Sequence, residues 1–171
     1  MKVALGARGL ALVALLALGH ASPASDGGPL LVHKVLAANS RFKDVKIAVE
    51  EGYAPMPCVS GTDGGAMGIH YVKAEYLKDE VPDVRRPQAV AYEPLPDGTM
   101  ELVSVEYITF KGPASLGGHL FSFTNSPNRY GLNPFYQLHV WAWKANPRGL
   151  FADMNPNVTC EHATADHLSA H

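Results

Sequence analysis

Apolar positions divide the chain into a helical front and a strand-rich remainder. Leu31, Val35, Ala38, Phe42, Val45 and Val49 advance by steps of four and three, the spacing of one helix face. Asn39-Ser40 is the place where this helix can break in two. Gly52, after Glu50-Glu51, suits the left-handed position that ends a helix. The stripe predicts a helix packed on a sheet. Beyond it, runs rich in β-branched and aromatic residues predict strands at Met67–Lys73, Gln88–Tyr92, Leu102–Phe110, His119–Phe123 and Phe135–Trp143. Asp97-Gly98, between the second and third of these, is a hairpin signal. Stretches 54–66, 111–118, 125–134 and 144–160 read as loops from their Gly, Pro, Asn and Ser content. No internal repeat or linker interrupts the pattern. The expectation is one α+β domain over residues 30–160, an N-terminal helix on an antiparallel sheet, with barrel-like closure of that sheet left open.

The ends read differently. Residues 1–21 have the form of a signal peptide: Lys2 and Arg8, an apolar run from Leu10 to Leu18, then Gly19-His20-Ala21 as a cleavage site. Ser22-Pro23-Ala24 is a second cleavage option. A membrane anchor is the competing reading, but nine apolar residues are short for a span and no stop-transfer flank follows. Residues 22–29 read as a flexible start and 161–171 as a frayed, His-containing tail. The expected location is therefore outside the cytoplasm, in a periplasm or secreted, with no membrane span left after cleavage. In that setting Cys58 and Cys160, the only two cysteines, read as a disulfide closing a loop of about 100 residues. Neither has the Cys–His setting of a nucleophile.

Charge narrows the function classes. The chain of 171 residues has 14 Lys and Arg against 16 Asp and Glu. Loss of Lys2 and Arg8 leaves 12 basic residues and a net charge of −4. That is the wrong sign for a general nucleic-acid binder. The Gly61, Gly64, Gly65, Gly68 cluster lacks the Lys-Ser/Thr of a phosphate-binding loop, so these glycines are expected to serve turns and close backbone approach.

Three predicted strands each carry one ligand-type residue among apolar neighbours: His70, Glu106 and His139. Alternation puts Gln137 and Trp141 on the face of His139, Ser104 and Ile108 on that of Glu106, and Gly68 and Val72 on that of His70. Two imidazoles and a carboxylate are the set that holds a divalent transition metal while leaving coordination positions open. His119 is available as a fourth ligand. The competing reading is an ordinary cross-strand His–Glu contact. Tyr71, Tyr107 and Trp141 belong to an aromatic group that either fills the core or lines a pocket for a small molecule. Glu93 or Glu101 with Glu106 would make a carboxylate pair of the glycosidase type only at the right separation. His162, His167 and His171 are too loosely spaced for a defined site. Asn157-Val158-Thr159 is a formal glycosylation sequon.

The runs Gly65-Ala-Met-Gly-Ile-His-Tyr71, Val105-Glu-Tyr107, Ser126-Pro-Asn-Arg-Tyr-Gly131 and Leu138-His-Val-Trp-Ala-Trp-Lys-Ala-Asn-Pro147, continuing through Asn155-Pro156 to Cys160, resemble a family of small exported, mostly bacterial proteins. The resemblance covers about residues 42–160. It implies a shared His70, Glu106 and His139 site and brings no reaction with it. Where that pattern has Pro-Glu, this chain reads Pro87-Gln88, so no essential carboxylate is expected there. Three readings follow: an exported protein with a His70/Glu106/His139 metal pocket, a non-catalytic small-ligand-binding module, and a structural envelope protein.

Overall fold

The computed structural model describes residues 27–61, 64–78, 81–128 and 131–165. The expected signal peptide, most of the expected flexible start, and His167 and His171 lie outside them. Helix α1 (Gly27–Asn39) starts three residues earlier than the sequence pattern suggests, so Gly27-Gly28-Pro29 belongs to the helix. A 3-10 turn (Ser40–Lys43) then leads to α2 (Val45–Glu50). The break falls at Asn39, whose buried side chain donates to the carbonyls of Val35 and Val84. Asp44 caps α2 by accepting from the Lys46 amide. The tighter 3-10 turn shifts the helical phase. Leu31, Val35 and Phe42 are buried as expected, but in α2 Ala48 takes the inward position and Val49 is exposed. Gly52 ends α2 at φ +88°.

The strands are β1 (Ala54–Pro55), β2 (Val59–Ser60), β3 (Ala66–Val72), β4 (Ala89–Pro94), β5 (Met100–Thr109), β6 (Ser115–Leu116), β7 (His119–Leu120), β8 (Ser122–Thr124) and β9 (Phe135–Val140). The main sheet is antiparallel in the order β1-β3-β4-β5-β9-β8, with β2 also on β3. Its two edges do not pair with each other, so barrel closure is not what this sheet does. The Asp97-Gly98 turn joins β4 to β5, with Gly98 at φ +81° and Asp97 accepting from the Thr99 amide.

The expected strand over His119–Phe123 is instead two pieces in different sheets. Strand β7 pairs with β6 in a small hairpin, while β8 joins β9. Phe121 turns inward between them, its amide bonded to the Ala114 carbonyl.

Both faces of the main sheet are covered. Ile69, Tyr71, Val90, Tyr92, Val105, Tyr107, Leu138 and Val140 form the main core with Leu31, Val35, Phe42 and Ala48 from the helical front. On the other face Ala66, Ala91, Val103, Trp141 and Val158 form a smaller core, with Cys160 packed against it. The C-terminal segment is zipped to β3 there by two backbone bonds between Ala66 and Asn155. Buried Asn155 holds the segment's own turn, donating to the Ala145 carbonyl and accepting from the Asn157 amide. The Cys58–Cys160 disulfide, expected from the sequence, ties the same segment to the chain ahead of β2.

Candidate metal centre

The register of the sheet sets the positions. His139 on β9 pairs with Glu106 on β5, and Glu106 with Ala89 on β4. One step along the same face, His70 on β3 pairs with Ala91, and Ala91 with Ser104. All these side chains therefore share the face opposite the helices. Strands β3 and β9 are three spacings apart, roughly 14 Å in a flat sheet. Their imidazoles nevertheless meet, with Nε2 of His70 and Nε2 of His139 at 3.2 Å. Curling of the twisted sheet contributes to this. Alanine at positions 89 and 91 leaves room for the two long imidazole side chains to lean toward each other over β4.

Glu106 completes the group. Its Oε2 lies 3.4 Å from Nε2 of His70 and 3.9 Å from Nε2 of His139. The three ligand atoms fall within 4.8 Å of one another, and each residue is about 1 % exposed. First-row metal bonds of about 2.0–2.2 Å place neighbouring ligand atoms roughly 3–3.5 Å apart, close to this spacing. A carboxylate taken out of water stays ionised only beside a compensating positive charge, such as an imidazolium or a cation. The cluster can hold a metal ion.

The surroundings favour His139 in a fixed orientation. Its Nδ1 faces Oδ1 of Asp153 at 3.7 Å, and Nε2 of Gln137 lies 3.5 Å from the same oxygen. A carboxylate behind the far nitrogen is the usual outer partner of a metal-bound histidine. The ring of Trp141 lies nearly parallel to that of His139, at 15° with centroids 6.2 Å apart, and its Nε1 donates to the Ala152 carbonyl. The His70 and His139 rings meet edge to face at 82°. Ser104 is fully buried on this face, with no hydrogen-bond partner for its hydroxyl among the described residues.

Other expected site residues lie elsewhere. His119 is in the β6–β7 hairpin, its ring 4.2 Å from that of Phe151, and it does not join the cluster. Tyr71 and Tyr107 point into the main core on the helical side, not into a pocket with His70. The Tyr107 hydroxyl donates to the Val84 carbonyl, and burial holds its pKa well above the usual tyrosine value. Trp141 is on the site face, as a wall beside His139. Glu93 and Glu101 are cross-strand neighbours that share Lys144, at 2.9 and 2.7 Å. Glu93 is four residues along β4 from the partner of Glu106, roughly 13 Å, too far for a glycosidase pair. Gln88 is buried and bridges two backbones, accepting from the Ile108 amide and donating to the Tyr76 carbonyl. That role requires an amide, which a carboxylate cannot fill without a proton.

Sequence reading missed Asp153, which sits in a loop with no spacing to mark it. Alternation placed Val72 beside His70 and Ile108 beside Glu106, but Met56, Leu77 and Leu132, which come from outside those strands, were missed. Met56, Val72, Leu77, Ile108 and Leu132 line a cavity of about 70 Å³ with those two ligands. That is well short of the few hundred Å³ typical of pockets for drug-sized molecules. No protein-family model matches the chain, and comparison with curated proteins and with solved structures found no match.

Proposed function

We propose that this is an exported protein that binds one divalent transition-metal ion through Nε2 of His70, Nε2 of His139 and the carboxylate of Glu106. The observation that carries this reading is the convergence of three buried ligand atoms from three separate strands. Asp153 behind His139 adds to it. Two imidazoles and a carboxylate suit Zn²⁺ or Fe²⁺ and leave at least one coordination position for water or another ligand. Such an ion polarises a bound carbonyl or activates bound water or dioxygen. Export is supported by the signal-peptide pattern of residues 1–21 and by the disulfide, which suits an oxidising compartment. Among the described residues no helix is long and apolar enough to cross a membrane.

Elemental analysis of the chain purified without chelator tests this. About one equivalent of a first-row metal is expected, absent from His70→Ala and His139→Ala variants and from the near-isosteric Glu106→Gln. Circular dichroism establishes which variants are folded. Metal retained equally by all folded variants, as the tail histidines alone would give, overturns the reading.

A further inference from the structure

The cavity beside the cluster is too small and too apolar for most substrates. Its volume is about 70 Å³. A water molecule's share of the liquid is about 30 Å³, and a cavity of about 150 Å³ is enough for benzene. The space therefore admits a molecule of a few heavy atoms at most. Apart from His70 and Glu106, its described lining is Met56, Val72, Leu77, Ile108 and Leu132. None of these offers a charge or a strong hydrogen bond, so a charged or strongly hydrated molecule would lose its solvation on the way through, with only the ion itself to compensate. Two of the three proposed metal ligands form part of the wall.

We infer that the cavity admits a small uncharged molecule of dioxygen's size to the open coordination position of the metal. This rests on the metal reading above. The position of Met56 is fixed from two sides. Its amide donates to the carbonyl of His70, and the disulfide-bonded Cys58 follows two residues later. Ile108 is on β5 two residues from Glu106, on the same face. Val72 and Ile108 thus share β3 and β5 with His70 and Glu106, and Met56, Leu77 and Leu132 complete the lining from outside those strands.

The test uses the whole exported chain loaded with Fe²⁺ without oxygen, with nitric oxide as the uncharged diatomic probe. Cobalt loading, read by visible absorption, reports metal binding independently. The expected result is a ferrous–nitrosyl paramagnetic signal that His70→Ala removes. Ile108→Phe and Leu132→Phe, which fill the cavity, should leave the cobalt spectrum unchanged and weaken nitric oxide binding at least tenfold. Leu132 is only partly buried, so its variant serves if Ile108→Phe fails to fold. Bound iron with no nitrosyl signal, or equal nitric oxide affinity in the filled variants, overturns the inference and leaves the metal site standing. Failure to bind either iron or cobalt refutes the metal site itself, and the inference with it.

Discussion

Glu106 and Asp153 are two carboxylates with opposite surroundings and separate jobs. Glu106 is about 1 % exposed, whereas the Asp153 side chain is 51 % exposed and lies beside the far nitrogen of His139 and the Gln137 amide. Asp153→Asn should therefore leave the melting temperature nearly unchanged while lowering metal affinity about 10–100-fold, the usual effect of removing an outer carboxylate. Competition with a chromophoric chelator measures it, and an unchanged affinity would show that Asp153 does not orient the ring. Gly68 is a residue of a different kind. Its φ is +90°, and a Cβ there would run into the carbonyl of Tyr92 on β4. Gly68→Ala combines backbone strain with that clash and should cost on the order of 3 kcal/mol, read from urea unfolding. Of these two roles only the glycine's was legible in part from the sequence. The glycine cluster signalled close approach without naming the partner. Asp153 carried no signal, since its meaning comes from a histidine 14 positions earlier in the chain.

Among the elements, tyrosines fasten the helical front and the loop before β4 to the sheet and to each other. The hydroxyls of Tyr92, Tyr53 and Tyr107 donate to the carbonyls of Phe42, Pro87 and Val84. Burial raises the pKa of each above the ordinary value of 10.0. The unfolded chain loses these protons near pH 10 and the folded one only at higher pH. The stability they contribute is therefore complete below about pH 10 and falls as pH rises beyond it. Titration should show four of the seven tyrosines, these three and the core residue Tyr71, whose pKa burial also raises, ionising in one cooperative step, together with loss of near-ultraviolet circular dichroism. Gradual ionisation with the fold intact would contradict this. The pattern of apolar residues indicated the helix and most strands, because each buries one face and so carries its own period. It misjudged α2 and the stretch from His119 to Phe123. In the first a 3-10 turn changes the phase. In the second Phe121 alone is drawn inward, splitting what reads locally as one strand.

The whole molecule depends on a closure between its two halves. The disulfide spans 102 positions and, with the Ala66–Asn155 pairing, holds the C-terminal segment over the site face. Cys58→Ala with Cys160→Ala should lower stability by roughly 4–5 kcal/mol, the chain-entropy value for a loop of this length, measured by denaturant unfolding. Metal affinity should fall as well, because Met56, Trp141 and Asp153 all lie on or beside the segments so tied. A stability loss under about 1 kcal/mol would mean that the pairing alone closes the fold. By itself the sequence determined what depends on neighbours in the chain: helix and strand periods, the Asp97-Gly98 turn, the chemical types of His70, Glu106 and His139, and the face each would share on its own strand. It also determined the cysteine pair, because two cysteines allow only one intramolecular bridge. The tertiary structure decided which strands lie side by side and in what register. Only that could bring ligands from β3, β5 and β9 to one point over the alanines of β4, exclude His119, and place Asp153 behind His139. Local pattern fixes the direction of a side chain relative to its own backbone, whereas distance across a sheet depends on strand order, pairing and curl.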